Sequence, residues 1–196
     1  MFLLRILSLN CNGLRKQDKR AFVYDLLRTK NVDVALLQET HSSPGDEIQW
    51  TKEWGKRALW NSGNTQSRGL AILINNKHIE VKSVNFDNFG RVLATDISVF
   101  GESMHIVNVY APVRGSGNEC NTQDRFYDGI YPYVHSKLPT LLAGDFNCVD
   151  DRQKDRNNFM AHQVKRYESK SLKDLCETYG LKDLYRISRP NGKDFT

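Results

Sequence analysis

Cysteine is scarce in this chain, and what there is sits badly for chemistry. Cys11, Cys120, Cys148 and Cys176 are the only four, and no two have the spacing of a zinc knuckle. Reduced thiols are therefore expected, not a disulfide framework or a metal cluster. No apolar run is long enough to span a bilayer. The opening MFLLRILSLNCNG is interrupted by Arg5 and lacks both a charged leader and a small-residue cleavage site, so it reads as a strand and not as a signal peptide. Internal repeats, low-complexity tracts and an interdomain linker are absent as well. What remains is 196 residues, 39% hydrophobic and 26% charged, the proportions of one soluble globular domain. The net charge is +5, from 28 Lys+Arg against 23 Asp+Glu. That balance is compatible with a polyanionic partner without establishing one.

Apolar runs of strand length recur: Leu4–Asn10, Asp33–Glu39, Gly69–Ile74, Arg91–Val99, His105–Ala111 and Pro139–Phe146. Several are apolar nearly throughout, as strands covered on both faces are. Arg91–Val99 instead alternates, with Val92, Ala94 and Asp96 on one face. DKRAFVYDLLRTKN predicts a helix capped by Asp18, with Phe22, Val23, Leu26 and Leu27 on its apolar face. SKSLKDLCETYGL predicts another, with Ser171 and Asp174 as a capping box, a Leu172–Leu175–Tyr179 stripe, and Gly180 as its stop. QDRFYDGIYPYVHSK is helical in pattern, but Pro132 must kink or end it. Asp151–Asn158 reads as a polar loop. The expected fold is an α/β sandwich of two face-to-face sheets with helices outside, its strand ends converging on one rim.

Polar clusters close four of the apolar runs: Asn10-Cys11-Asn12-Gly13, Gln38-Glu39-Thr40, Asn108-Val109-Tyr110-Ala111-Pro112 and Gly144-Asp145-Phe146-Asn147. Any one of them is explained by turn chemistry, since Asn and Asp serve Asx-turns and Gly13 and Gly144 favour tight turns. Together they would bring two carboxylates, several amides and a phenol to one rim. Such a donor set suits a hard cation such as Mg²⁺, which keeps several waters and takes one or two protein carboxylates. Zinc has no His/Cys set here. Phosphodiester cleavage needs an oriented water, a group to orient it, and charge neutralisation on the phosphoryl oxygens, and these residue types can supply each.

The ordered series LNCNGL, LQETH, NVYAP and GDFN resembles the endonuclease/exonuclease/phosphatase superfamily of DNase I-like enzymes, over nearly all of residues 4–196. The QETH form resembles its retrotransposon branch, of the LINE type. The resemblance implies a four-layer αββα sandwich of two mixed sheets with outer helices, in one domain spanning 1–196. It implies Glu39 as the principal Mg²⁺ ligand (Mn²⁺ as a substitute), with Asn12 beside the metal. Asp145 would orient or deprotonate water, Asn147 would hold a phosphate oxygen, Asn10 would position Asp145, and Tyr110 would contact the phosphate or assist the leaving oxygen. The implied reaction nicks DNA to leave a 3′-hydroxyl that primes reverse transcription, in the nucleus, with a reverse transcriptase downstream in a parent polyprotein. Abasic-site repair, phosphatase work in the same fold, or an inactive DNA-binding remnant are the alternatives.

Further candidates are His41, as a base or a turn residue, and Arg91, as a phosphate contact or a solvated edge charge. Arg152, Lys154 and Arg156 read as a DNA-backbone contact or as a solvated loop beside Asp150, Asp151 and Asp155. Two departures from the family pattern stand out. Val113 follows YAP where relatives carry Asn, so Arg114 is a candidate replacement. The sequence given ends at KDFT, before the strands that carry the family's Asp–His dyad, so the last strands are expected to be missing.

Overall fold

The computed structural model describes residues 3–113, 121–149, 169–190 and 192. Its described residues divide into two compact units, Met1–Tyr110 with Ser136–Asp145, and Ala111–His135 with Phe146–Thr196. Arg114, Arg152, Lys154 and Arg156 lie outside the described residues, as does the Asp151–Asn158 loop.

In the first unit the apolar runs become strands of two mixed sheets. β1 (Ile6–Asn10), β2 (Val34–Gln38), β3 (Ala58–Asn61) and β4 (Leu70–Ile74) pair in the order β1-β2-β4-β3. β5 (Ile79–Phe86), β6 (Val92–Val99), β7 (Glu102–Tyr110) and β8 (Thr140–Asp145) pair in sequence order. Each sheet contains one parallel pair, β1/β2 and β7/β8, with Asn10 opposite Gln38 and Tyr110 opposite Asp145 at their ends. β2 and β4 are buried along their whole length, which is why they lack alternation. Between the sheets Val34, Leu36, Leu70 and Ile72 meet Leu93, Ile97, Val99 and Ile106.

The opposite face of the first sheet is covered by α1 (Gln17–Thr29) and α2 (Pro44–Trp54), through Val23, Tyr24, Leu27, Trp50 and Trp54 against Ala35, Leu37, Ala71 and Leu73. The expected face of α1 is corrected. Phe22 is 68% exposed, and Arg20, Val23, Tyr24 and Leu27 are buried. That set follows the three-to-four-residue step of a helix, which Phe22 does not share. Arg20 can be buried because Glu53 takes its Nε and Nη2, at 2.7 and 2.8 Å, while Nη1 donates to the carbonyls of Leu14 and Arg15. Asp18 is not the cap. Lys16 occupies that position, and Asp18 falls in the first turn, where the helix dipole favours an acid. α2, not anticipated from periodicity, is announced by a capping box of Ser43 and Asp46 with Pro44 in its first turn. Among the strands, β3 and β5 were missed: β3 is only four residues long, and most of β5 is exposed. Val92 and Ala94 do share a face of β6 with Asp96; both faces are buried from Val92 to Thr95, and the alternation shows as burial only beyond, where Asp96 and Ser98 are partly exposed and Ile97 and Val99 buried.

The second unit is helical in its described residues. α3 (Asn121–Gly129) stops before α4 (Tyr131–Val134), so Pro132 opens a new turn instead of kinking a continuing helix. α5 (Lys170–Tyr179) is capped by Ser169, whose hydroxyl accepts from the Leu172 amide and donates to Asp124 at 2.7 Å. This corrects the box placed on Ser171, which lies inside the helix. Gly180 ends α5 at φ 62, and Leu175 is its buried residue. α6 (Leu184–Ser188) follows, capped by Asp183. Among the described residues Cys11, Cys148 and Cys176 form no disulfide. No helix of the described residues is long and apolar enough to cross a membrane.

Candidate active site

The C-terminal ends of the two parallel strand pairs meet at one rim of the first unit. β1 ends on Asn10, whose amide nitrogen donates to Glu39 Oε1 and to Asp145 Oδ2, each at 2.8 Å. One nitrogen thus spans two carboxylates that lie 29 and 135 positions away in sequence. The Asn10 carbonyl oxygen accepts from the Asn12 backbone N–H at 2.9 Å, which fixes the amide's orientation. Glu39 follows β2 at φ 51, a left-handed position that turns its side chain out of the ladder. It takes hydrogen bonds from Asn10, Tyr110 and His41. Burial alone would raise its carboxyl, but these donors outweigh burial and hold it below the usual range. Tyr110 closes β7. Its burial, then its bond to Glu39, push the phenol up to about 12.

β8 delivers Asp145 through a close approach. Gly144 is not a turn residue, as the sequence suggested, but lies within the strand at φ 142; a Cβ there would sit 2.0 Å from the Val109 carbonyl oxygen. Only glycine lets β8 lie this close to β7. Gly13 does serve a turn, at φ 84, and its N–H donates to the Glu39 carbonyl at 2.7 Å.

Beneath the rim, two buried amides join the sheets. Gln38 Nε2 donates to Asn108 Oδ1 at 2.7 Å, to the Leu36 carbonyl at 3.0 Å and to Ser8 Oγ at 3.1 Å. Asn108 Nδ2 donates to the carbonyls of Leu37 and Ala71, at 3.0 and 3.1 Å. Gln38 immediately precedes Glu39, and Asn108 stands two residues before Tyr110. The amide pair therefore sets the height of β2 against β7, and with it the reach of Tyr110 to Glu39. Sequence reasoning placed both amides in its clusters without this role; a polar residue inside an otherwise apolar run was the available signal.

The other predicted residues fall as follows. His41, at φ 56, puts Nε2 3.4 Å from Glu39 Oε2. Arg91 stacks over the Tyr110 ring, 5.2 Å from its centroid, and donates to the Tyr110 carbonyl at 3.0 Å. Asn12 is exposed, and its backbone carbonyl accepts from Lys19 Nζ at 2.9 Å. Asn147 belongs to the second unit, where its amide donates to the Ala111 carbonyl at 2.7 Å; Gln123 of α3 in turn donates to the carbonyls of Asn147 and Pro112, at 2.9 and 3.0 Å. Gln123 was not singled out from sequence, and its helical pattern gave no hint of it. Val113 is exposed. Among the described residues no group of three His, Cys, Asp or Glu side chains could hold a metal. The donor set is instead two carboxylates and amides, which fits a hard cation completed by water.

Two carboxylates, amides and a phenol thus converge at one rim of the first unit, and comparison with known proteins gives the family of the chain that carries them. Residues 7–163 match the model of the endonuclease/exonuclease/phosphatase family, and the chain belongs to that family. A curated relative, the transposon TX1 uncharacterized 149 kDa protein of Xenopus laevis, is 32% identical over 198 residues. That match covers 98% of this chain and 14% of the relative, so the chain spans about a seventh of that protein. Among solved structures the chain resembles an AP endonuclease from Archaeoglobus fulgidus (17% identity, TM-score 0.74, 99% of this chain and 77% of that one). It also resembles the AP endonuclease LMAP from Leishmania major (16%, 0.77, 96% and 70%). A 3′ phosphatase, NExo from Neisseria, bound to product DNA hairpin, is similar too (19%, 0.72, 95% and 74%). These likenesses establish the DNase I-like fold.

Proposed function

We propose that this chain hydrolyses phosphodiester bonds of DNA, nicking one strand to leave a 3′-hydroxyl, with Mg²⁺ held through Glu39 and Asn12 (Mn²⁺ as a substitute). The observation that carries this reading is the Asn10 amide spanning Glu39 and Asp145. When bound, the ion would supply a Lewis acid for the phosphoryl oxygens. The chain's own residues do the rest. Asp145, oriented by Asn10, accepts the proton of the attacking water. Tyr110, un-ionised at neutral pH, donates to the phosphate or the leaving oxygen. Arg91, stacked over the Tyr110 ring, would add positive charge near the phosphate. The family resemblance gives Asn147 a further phosphate contact.

The transposon relative supports a mobile-element setting. There the 3′-hydroxyl would prime reverse transcription by a polymerase of the same polyprotein, acting on chromosomal DNA in the nucleus. Supercoiled plasmid, plain duplex, abasic duplex and inositol phosphates, each with Mg²⁺ and with EDTA, test the reading. Mg²⁺-dependent nicking of plain DNA with 3′-hydroxyl ends is the expected result. Strong preference for the abasic duplex would make it a repair enzyme, and turnover of inositol phosphates alone would make it a phosphatase.

A further inference from the structure

Resting on that reading, we propose that Arg68 and Phe89 form a subsite for DNA flanking the cleaved bond, Arg68 taking a phosphate oxygen and the Phe89 ring packing on the adjoining sugar. Neither residue belongs to a motif. They come from two loops of the first unit, β3–β4 and β5–β6, that are welded backbone to backbone. The Gly69 N–H donates to the Gly90 carbonyl at 3.1 Å. Cβ atoms on Gly63 and Gly90 would lie 2.5 Å from Gly69 N and 2.6 Å from the Ser62 carbonyl oxygen, so the close backbone approach has room only for glycine at these positions. The platform is tied to the site: the His41 N–H donates to the Arg68 carbonyl at 2.9 Å and the Thr40 N–H to the Gly69 carbonyl at 3.0 Å. Phe89 is likewise two residues from Arg91, which holds Tyr110.

On this base the side chains are set for a polyanion. Arg68 Nη1 donates to the Phe89 backbone carbonyl at 3.3 Å, which ties the guanidinium to the loop that carries Phe89. Phe89 is 65% exposed, a large apolar surface to leave in water on a rigid loop. Arg68 and Arg91 are near enough that Arg68's charge, after burial, helps depress the Arg91 guanidinium. Among the described residues neither of them forms an ion pair. A phosphodiester backbone would relieve the repulsion between these two like charges. An exposed aromatic beside unpaired arginines is also the composition that nucleic-acid surfaces use.

Fluorescence anisotropy with a labelled 20-base-pair duplex, in Ca²⁺ and at several salt concentrations, reads this subsite without turnover. Arg68→Ala should weaken binding about tenfold and lower the slope of log affinity against log salt by about one. Arg68→Gly must do the same; Arg68 sits at φ 65, so glycine relaxes the backbone and its loss of binding cannot be put down to unfolding. Phe89→Ala should weaken binding several-fold with the slope unchanged, and Phe89→Trp should restore it. Affinity within twofold of wild type in both arginine variants, or a slope that does not move, overturns the Arg68 contact. Equal losses in Phe89→Ala and Phe89→Trp overturn the Phe89 contact. Wild-type binding without any nicking sinks the proposed hydrolysis and leaves the subsite standing; no binding by wild type sinks the subsite itself.

Discussion

Replacing Asn108 by leucine tests whether the buried amide pair governs both stability and the site. The side chain is fully buried and makes three hydrogen bonds, one accepted from Gln38 and two donated to Leu37 and Ala71. Leucine keeps most of the volume, so cavity formation is a small contribution. Losing three bonds at ~1 kcal/mol each gives ~3 kcal/mol, and stranding part of the Gln38 amide and the two carbonyls adds ~1–3 kcal/mol. Burying an apolar side chain returns ~2 kcal/mol. The expected net loss is about 3 kcal/mol, a fall of about 1.5 M in the urea midpoint at a slope of ~2 kcal/mol/M. Gln38 keeps its bonds to Ser8 and Leu36, which bounds the damage. Nicking should also drop well below the unfolding temperature, because the strand offset that joins Tyr110 to Glu39 is no longer pinned. Urea unfolding followed by circular dichroism, with nicking measured at 20 °C, checks both. A variant within 1 kcal/mol of wild type and fully active would refute the claim that this pair sets β2 against β7.

Other consequences are more local. Glu39→Gln and Asp145→Asn should each cut nicking 100-fold or more, a loss of ~3 kcal/mol of transition-state stabilisation, yet leave the unfolding midpoint nearly unmoved; comparable losses in both readouts would recast these residues as structural. Glu53 is held below the usual carboxyl range, chiefly by the hydrogen bonds from Arg20, with burial opposing. A group lowered in the folded state contributes stability above its unfolded value, ~4.3, and that contribution disappears as pH falls through the folded value. Glu53→Gln should therefore cost about 2 kcal/mol at pH 7 and flatten the acid limb of the stability–pH curve, which urea titrations from pH 7 to 3 would reveal. Gly144→Ala has no room for its methyl group beside Val109 and should lose more than ~4 kcal/mol, read as failure to yield soluble folded protein.

Much of the core sheet structure could be read from the chain because burial on both faces forces apolar runs: β2 and β4 carry no polar break before Gln38, since α1 and α2 cover one face of their sheet and the second sheet covers the other. The residues of the rim were legible for a related reason. Asn10, Glu39, Tyr110 and Asp145 are polar side chains at the ends of such runs, where strands leave the core. Helix edges were less legible. Ser169 rather than Ser171 caps α5, and Arg20 is buried on α1, because a cap or a buried charge is selected by partners distant in sequence, Asp124 and Glu53. The sequence alone, then, determined the family and which carboxylates and amides stand at strand ends. Tertiary structure decided that one Asn10 nitrogen serves two carboxylates, that Gln38 and Asn108 lock the two sheets in step, and that Arg68 and Phe89 meet beside Arg91. Local periodicity carries no information about these pairings, since each joins segments that only the packing of the sheets and their loops brings within hydrogen-bonding reach.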